Sequence, residues 1–367
     1  MGEFDVDVNA CRGRQQRLIA SMQRHDVELT ILTQRENILW LTGFLAGPMF
    51  QPAAALTADG RMTLVAPGRK LPQGIAADEV VGYEAQWHST LRNDQRAASS
   101  AMLLQSLVAR PTRIGVEFSS LGPVLSQPLA AELVDLEPEI YRLRRHKDAD
   151  ELRFMQKAID ATAAMYARAR EIIRPGVNEL KVYSELYATT VRTFQEPPTY
   201  FGQDFQCNAR GGPPRNRHAE AGELYILDLG AGFRGYFSDN ARTIAVDGQP
   251  TDAQQQAWQQ IQKVFHLIET TVKPGVRAKI IFEQAQAILD EVRPWTFDHH
   301  LGHGIGLYPH EAPHLNPFWD DTFAAGEVFT VEPGLYHETL RQGMRLEQNY
   351  LVTADGVRLL TPFTLAL

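Results

Sequence analysis

The chain has 367 residues, of which 44% are hydrophobic and 22% charged, and its formal net charge is −8. This composition is ordinary for a globular protein, and it excludes wholesale disorder and fibrous repeats. The length favours two domains, and the negative charge argues against non-specific binding of nucleic acid, because such binding needs a basic face.

The cellular compartment can be inferred from targeting signals and from the number of cysteines. The beginning of the sequence is acidic and lacks the basic and apolar segments of a secretory signal, and no apolar run approaches the roughly 20 residues that span a bilayer. The two cysteines, Cys11 and Cys207, are too few for a disulfide framework and lack metal-finger spacing. We therefore expect a cytoplasmic protein with reduced thiols and no membrane partner.

The first part of the chain predicts an α/β domain. A helical pattern around Leu18 is followed by apolar runs that we interpret as strands, and a further helix is predicted near 99–109. The predicted strands are 29–33, 37–41, 53–57, 62–65 and 113–117. Catalytic residue types are not concentrated here, so we expect a structural or dimerising domain.

We place the domain boundary at the basic segment 142–147, which we interpret as a solvated linker rather than a docking patch. The predicted domains are therefore residues 1–146 and 147–367. An amphipathic helix follows, with apolar residues at three- and four-residue steps from Leu152 to Ile173, and Pro175-Gly176 ends it.

The second domain contains an internal repeat. The segment Ile173-Arg-Pro-Gly-Val177 recurs as Val272-Lys-Pro-Gly-Val276, in each case between two helical stretches. Further along, the segment 222–230 is echoed by 326–334. Two echoes in the same order predict a duplicated helix–helix–sheet unit with a pseudo-two-fold axis.

Carboxylates occupy matching places in the two copies. Asp228 and Glu332 each lie six residues after the first glycine of their segment, and Asp239 and Glu347 follow them. An ionised carboxylate at the end of a buried apolar strand is costly unless it is paired or bound to a metal. We expect the pseudo-symmetry to gather these strands at the centre of a sheet. Four carboxylates carry a charge that two divalent ions would cancel, which favours a dinuclear metal centre over a proton-sharing cluster.

Histidines cluster between the carboxylates of the first copy and those of the second copy. Four of the 11 histidines, His299, His300, His303 and His310, lie within twelve residues. The glycines at 302, 304 and 306 allow close backbone approach and positive φ angles. We interpret this segment as a turn that delivers a side chain to a crowded site, although a flexible loop with surface histidines is the alternative.

These residues resemble a known family. The second domain resembles the pita-bread metallopeptidases, and the whole chain resembles the two-domain Xaa-Pro peptidases, aminopeptidase P and prolidase. The matching motifs are Asp228-Leu-Gly230 with Gly235-Tyr236 and Asp239, His303 in its Gly- and His-rich turn, Glu332-Pro-Gly-Leu-Tyr336, and Gly343-Met-Arg-Leu-Glu347. Weaker cues in the first domain are Asn37 to Phe44 and Ile114 to Glu117. The resemblance implies a small creatinase-like α/β domain followed by a pseudo-two-fold pita-bread catalytic domain.

The resemblance also implies a set of metal ligands. Asp228 would bind one ion, Asp239 and Glu347 would bridge two ions, and His303 and Glu332 would complete the other. One nitrogen among oxygen ligands suits Mn²⁺, and Co²⁺ or Zn²⁺ remain alternatives. By the same resemblance, the expected reaction is hydrolysis of the peptide bond before proline in short peptides by a hydroxide that bridges the ions.

The resemblance implies catalytic or substrate-binding roles for four residues. Glu332 would carry the proton to the departing proline nitrogen, and His310 would stabilise the oxyanion or bind the substrate backbone. His299 and Arg345 would line the substrate pocket, with a structural ion pair as the alternative for Arg345. Relatives of this kind are often homodimers, which the resemblance implies here too.

The sequence departs from the family pattern in three places. Where the family has a Pro-His pair, counting back from Asp228 without a gap gives Gly211, and His218 is the nearest histidine. The acidic residue expected after Glu347 is Gln348. The segment that begins Cys207-Asn208 replaces a usual Ser-Gly stretch. Two alternatives therefore stay open: a relative that hydrolyses a non-peptide C–N bond, and a pita-bread module that only binds partners.

Overall fold

A computed structural model describes residues 2–68, 70–85, 92–107 and 111–367 of the chain. The chain divides into two units, Met1–Arg144 and Arg145–Leu367, and both mix helices with strands. Among the helices of the described residues, none combines the length and apolar character that a membrane span requires.

The first unit contains a six-stranded sheet in the order β4-β3-β2-β1-β5-β6. Its strands are β1 (Leu29–Leu32), β2 (Ala53–Thr57), β3 (Met62–Pro67), β4 (Glu79–Tyr83), β5 (Arg113–Val116) and β6 (Glu132–Asp135). Its helices are α1 (Val8–Arg24), α2 (Arg35–Thr42), α3 (Arg92–Ser106), α4 (Pro123–Ser126) and α5 (Glu137–Arg144). The helix predicted near 99–109 corresponds to the end of α3, and positions 108 and 109 lie outside the described residues.

The prediction of a strand at 37–41 is wrong, because this segment belongs to helix α2. The run is apolar except for Asn37 and has no clear period, so its pattern does not distinguish a strand from a helix that is buried all round. Residues Asn37 to Thr42 are indeed all buried. Gly43 ends the helix at φ 75°.

The interpretation of segment 142–147 as a solvated linker is also wrong. Arg144 ends α5, is only 2% exposed, and donates a hydrogen bond from Nη1 to Asn37 Oδ1 at 2.8 Å. Lys147 is 4% exposed and pairs with Glu311 at 3.1 Å. Both cations are buried against partners distant in sequence: the amide oxygen of Asn37 accepts from Arg144, and the carboxylate of Glu311 compensates the charge of Lys147.

The second unit repeats one order of elements. Two helices, α6 (Ala149–Ile172) and α7 (Glu179–Phe194), precede a group of strands, and two more, α8 (Asp252–Thr271) and α9 (Ala278–Leu289), precede another. The strands of the first group are β7 (Tyr200–Cys207), β8 (Leu224–Phe233), β9 (Tyr236–Phe237) and β10 (Ala241–Ala245). Those of the second are β11 (Gly302–Gly304), β12 (Glu311–Leu315), β13 (Val328–Val331), β14 (Gly334–Leu335), β15 (Met344–Arg345), β16 (Gln348–Val352) and β17 (Val357–Leu359). The predicted duplication of a helix–helix–sheet unit is confirmed.

The strands that carry the carboxylates do not share a single sheet. One sheet runs β10-β8-β7 with β9 beside β8, a second runs β12-β11-β13-β16-β17, and β14 pairs with β15. They meet where β10 lies beside the β15 segment, since Glu347 N donates to Ala241 O at 2.9 Å and Thr243 Oγ1 donates to Arg345 O at 3.0 Å. The expectation of one central sheet is therefore corrected to a junction between sheets.

Helices α8 and α9 cover the second of these sheets. Thr251 accepts a hydrogen bond from Gln254 N, and the Gln254 side chain accepts from Thr251 N, so the two residues form a capping box at the start of α8. The apolar faces of the helices, including Ile261 and Phe265, join Phe329 of β13 in one buried core. This core fixes the strands on which half of the site is built.

Glycines permit close approach of strands around β11. A Cβ added at Gly302 would lie 2.0 Å from Thr330 O, and one at Gly304 would lie 2.0 Å from Ala312 O. The close approach expected of these glycines is thus confirmed. The expected positive φ angles are wrong, since Gly302, Gly304 and Gly306 do not adopt them.

We expect Gly302→Ala to lower the free energy of unfolding by about 1–3 kcal/mol or more, because the added methyl group meets backbone that cannot rotate away. Gly13→Ala is the matched control, since a Cβ at this helical position has nothing within 4 Å. It should leave stability unchanged or raise it by up to about 1 kcal/mol. Urea unfolding of both variants measures the difference, and equal midpoints would contradict the packing argument.

Candidate metal centre

Four carboxylates reach the site from four different segments of the second unit. Asp228 lies within β8, not at its end as the sequence suggested, and every residue of that strand is buried. Asp239 lies between β9 and β10, Glu332 follows β13, and Glu347 lies between β15 and β16. Their exposed fractions are between 1% and 8%. The strands β8 and β13 are largely apolar, and β10, β15 and β16 are buried almost throughout, so packing of these strands buries the carboxylates.

His303 is the nitrogen ligand predicted from the sequence, and its orientation follows from one contact. Its Nδ1 lies 3.0 Å from the carbonyl oxygen of Gly304, which can only accept, so Nδ1 carries the proton. Nε2 lies 3.7 Å from Glu332 Oε1 and 4.0 Å from Asp239 Oδ2. Burial lowers the pKa of His303 to about 4, so a lone pair on Nε2 faces the carboxylates at neutral pH.

The eight residues predicted to form the site come together in one cavity of about 260 Å³. They are Asp228, Asp239, His299, His303, His310, Glu332, Arg345 and Glu347. The ligand atoms of Asp239, His303 and Glu347 lie within 4.8 Å of one another. Their roles stay predictions, but the positions are those that a shared metal site requires.

The buried acceptors of this cavity fit divalent cations. Asp228 Oδ1, Asp239 Oδ1 and Glu347 Oε1 are buried and have no hydrogen-bond partner. With His303 Nε2 they form a group of acceptors facing one another, and such an arrangement is costly unless a cation or protons intervene. Oxygen ligands with one imidazole nitrogen suit Mn²⁺, Co²⁺ or Zn²⁺.

The pKa values of the carboxylates also indicate a cation site. Burial, and then the negative charge of Asp228, raise the pKa of Asp239 well above its usual range. Burial and the charge of Asp239 do the same to the pKa of Glu347. Burial also opposes ionisation of Glu332, but the hydrogen bond from His300 and the positive charges of His300, His303 and Arg345 together outweigh it and hold the pKa of Glu332 at about 2. A bound cation would stabilise the ionised forms of Asp239 and Glu347.

A second set of side chains could in principle hold a metal. The ring nitrogens of His300, His303 and His310 also lie within 4.8 Å of one another. His300 Nε2, however, already contacts Glu332 Oε1 at 2.6 Å, and this set would leave the buried oxygens of Asp239 and Glu347 without a partner. The carboxylate set with His303 therefore explains more of the site.

Arg345 connects the carboxylates to the wall of the cavity. Its Nη2 donates to Asp228 Oδ2 at 2.8 Å and also to Asp204 Oδ2. Nη1 donates to the Tyr336 hydroxyl at 3.4 Å. The structure thus contains the ion pair that was the alternative interpretation of Arg345, and it does so within the predicted pocket.

His299 and His310 flank the ligands. Nδ1 of His299 lies 2.7 Å from the carbonyl oxygen of His300 and therefore carries the proton, so Nε2 accepts from the Tyr336 hydroxyl at 2.9 Å. The ring of His310 stacks on that of His303 with a centroid distance of 3.9 Å. Burial lowers the pKa of both His299 and His310, so both rings are neutral; the N–H of His299 is already donated to His300, whereas His310 can donate its N–H into the cavity.

Sequence reasoning missed several residues that line the same cavity. These are Gln203, Asp204, Arg210, His300 and Tyr336. Tyr336 closes the Glu-Pro-Gly-Leu-Tyr motif and His300 adjoins His299, so both carried a signal. Asp204 and Arg210 carried none, because Asp204 enters from strand β7 through its register with β8, and Arg210 enters through the conformation of the segment after β7.

The structure shows where two of the residues that depart from the family pattern lie. His218 does not line the cavity of the carboxylates; it lines a separate cavity and pairs with Asn178. It is therefore not a replacement for the histidine expected at Gly211. Gln348 accepts from Arg242 Nη2 at 3.0 Å and from Thr361 Oγ1 at 2.8 Å, so it belongs to a structural network.

Comparisons with known proteins match both parts of the chain to described families. A model of metallopeptidase family M24 matches residues 153–354, and a model of the creatinase/prolidase N-terminal domain matches residues 14–146. An Xaa-Pro dipeptidase of Pyrococcus horikoshii is 24% identical over 349 residues, covering 94% of this chain and 95% of the relative.

Two solved structures share the fold. An Xaa-Pro dipeptidase from Bacillus anthracis has a TM-score of 0.80 at 23% identity, covering 96% of this chain and 98% of that one. Aminopeptidase P from E. coli, solved with the inhibitor Pro-Leu, has a TM-score of 0.79 at 19% identity, covering 98% and 95% of the two chains.

We expect Mn²⁺ to raise the unfolding temperature of the metal-stripped protein. Each site contributes about 2.7 kcal/mol of stability when the ion exceeds its Kd a hundredfold. Asp239→Asn should reduce this gain, because it removes a charge that faces the other acceptors. Thermal unfolding by calorimetry measures both, with Asp355→Asn at an exposed turn as the control. An equal gain in Asp239→Asn and the control would exclude Asp239 as a ligand.

Proposed function

This chain belongs to metallopeptidase family M24, and we propose that it is an exopeptidase that hydrolyses the peptide bond preceding proline in short peptides. The fold and family predicted from the sequence, a creatinase-like domain followed by a pita-bread catalytic domain, are confirmed. The chain is accordingly a metallopeptidase. Its preference for Xaa-Pro substrates, as a dipeptidase or an aminopeptidase, is the proposal.

The observation that carries the proposal is the set of buried acceptors without a donor. Asp228, Asp239 and Glu347 each leave one oxygen unpaired in the cavity, and His303 turns its lone pair toward them. Together with Glu332, these residues would hold two divalent ions, of which Mn²⁺ is our preferred choice. Four carboxylates carry the negative charge that two such ions balance.

Two divalent ions in such a site supply hydroxide at neutral pH by lowering the pKa of water, and they polarise a substrate carbonyl. The protein's own groups would perform the remaining steps. Glu332, whose pKa is held at about 2, is ionised and can accept a proton from the attacking water. It would then deliver that proton to the departing proline nitrogen. His300, 2.6 Å away, keeps the Glu332 carboxylate oriented.

The neighbouring rings would bind and orient the substrate. His310 would donate its N–H to the oxyanion or to the substrate backbone, since its pKa is lowered and the ring is neutral. His299 and Arg345 share the Tyr336 hydroxyl, which fixes both on the wall of the cavity. We infer that they position the substrate.

Two other functions were left open by the sequence. A pita-bread relative that hydrolyses a non-peptide C–N bond would share the fold, and the lack of a histidine at Gly211 is the feature that favours it. A module that only binds partners would have no need of several buried carboxylates that remain unpaired. The cytoplasmic location, the homodimer and the lack of nucleic-acid and membrane partners stay predictions.

We expect the purified protein to bind about two divalent ions per chain and to hydrolyse Ala-Pro or Ala-Pro-Ala when Mn²⁺ is supplied. Metal analysis gives the stoichiometry, and chromatographic detection of released alanine gives the activity. The comparison of the two peptides also separates a dipeptidase from an aminopeptidase. Metal binding without hydrolysis of either peptide would favour the C–N hydrolase instead.

We expect Asp239→Asn and Glu347→Gln to abolish metal-dependent turnover while the protein stays folded. The loss should exceed the roughly 10- to 100-fold effect of removing an outer partner of a metal ligand. Glu338→Gln, at an exposed position, is the control and should keep full activity. Turnover is compared alongside circular dichroism, and full activity in either ligand variant would refute its bridging role.

A further inference from the structure

We propose that Arg210 binds the C-terminal carboxylate of the substrate, so that the preferred substrate is an Xaa-Pro dipeptide. This inference rests on the proposed function and adds the length of the substrate to it. Arg210 lies in the segment between β7 and β8 and lines the same cavity as the carboxylates.

An aromatic ring holds the guanidinium of Arg210 beside the cavity of the carboxylates. It stacks over the ring of Tyr336 at 4.1 Å from the centroid. The hydroxyl of Tyr336 contacts Arg345, which in turn contacts Asp228 at 2.8 Å. Arg210 is therefore one aromatic ring away from the side chain that orients a proposed metal ligand.

The conformation of the segment explains why residue 210 supplies this group. Gly211 has φ 143°, and a Cβ there would lie 2.2 Å from Asp204 Oδ2, so no side chain fits at 211. Asp204 Oδ1 also accepts from Gly212 N at 2.6 Å. Arg345 Nη1 donates to the carbonyl oxygen of Arg210 at 3.3 Å. These contacts fix the backbone around Arg210, and its side chain enters the cavity.

Of the arginines that line the cavity, Arg210 is the better placed to bind a substrate carboxylate. The cavity is lined by two arginines, and Arg345 is already bound to Asp204 and Asp228. The side chain of Arg210 is 48% exposed, and its partner Asp298 is 51% exposed. A substrate carboxylate can therefore replace Asp298 at small desolvation cost. The planar guanidinium also matches a carboxylate in a bidentate geometry.

A carboxylate receptor at this place distinguishes peptide lengths. In an Xaa-Pro dipeptide the proline carries a free carboxylate close to the scissile nitrogen. In a longer peptide the same carbon belongs to a neutral amide, which offers no charge to Arg210. The residues that follow proline in a longer peptide would also collide with the Arg210–Asp298 ion pair.

The test compares Ala-Pro with Ala-Pro amide, which differ only in the charge of the terminal group. In the wild-type protein, kcat/KM for the acid should exceed that for the amide by roughly ten- to a hundredfold, the range for a hydrogen bond to a charged group. Arg210→Gln should remove this preference through a higher KM for the acid, so that kcat/KM becomes similar for the acid and the amide. Arg210→Lys should retain part of it, because it keeps the charge.

A binding measurement makes the test independent of turnover. Calorimetry with L-proline and L-prolinamide should show the same loss of discrimination in Arg210→Gln, with and without Mn²⁺. Asp298→Asn is the matched control, because it removes the same ion pair but keeps the cation. It should preserve the discrimination, whereas a merely structural role of the ion pair would make it behave like Arg210→Gln.

The outcomes separate the two proposals. If the wild-type protein hydrolyses Xaa-Pro peptides and Arg210→Gln keeps the acid-to-amide ratio, the role of Arg210 is refuted and the function stands. If no Xaa-Pro peptide is hydrolysed but Arg210→Gln loses carboxylate discrimination in calorimetry, the function fails and the subsite stands. If Asp298→Asn loses the discrimination as fully as Arg210→Gln, direct binding by Arg210 is refuted.

Discussion

Buried acceptor groups that face one another without a donor are the constraint on which the second unit depends. Asp228, Asp239 and Glu347 each bury an unpaired oxygen, and the lone pair of His303 joins them. Burial of like charges opposes folding unless a cation is bound or protons are taken up. The apolar strands and the helices that cover them must supply the free energy that holds these groups together. A metal-binding function accounts for why the fold tolerates them.

Both copies of the duplicated unit supply carboxylates to the site, but the other functional side chains come unequally from the two copies. Each copy contributes two carboxylates, Asp228 from within a strand and the other three from segments that adjoin strands, and the sheets meet where β10 lies beside the segment of Glu347. The histidines come from the second copy alone, on and around β11, where glycines let neighbouring backbone approach closely. The first copy instead supplies the segment after β7. A symmetric frame thus carries an asymmetric set of functional groups.

Hydrogen bonds, rather than the identity of the residues alone, orient the groups around the ligands. Arg345 joins Asp228 to Asp204 and to Tyr336, and Tyr336 joins Arg345 to His299. Because carbonyl oxygens accept from Nδ1 of His299 and of His303, the tautomers of both rings follow from the backbone. The segment that lacks the expected histidine at 211 uses its glycine to admit Asp204, and the adjacent Arg210 gives the cavity a cation.

The sequence by itself determined the fold class, the duplication and the eight candidate site residues, because local motifs and matching spacings record them directly. Only the tertiary structure decided that 37–41 is a helix, since an apolar run that is buried all round has no distinguishing period. The same holds for the burial of Arg144 and Lys147, whose partners are remote in the chain. Asp204 and Arg210 enter the cavity through the backbone conformation at Gly211 and through contacts with Tyr336 and Arg345. Such contacts join residues more than a hundred positions apart, and no local pattern specifies them.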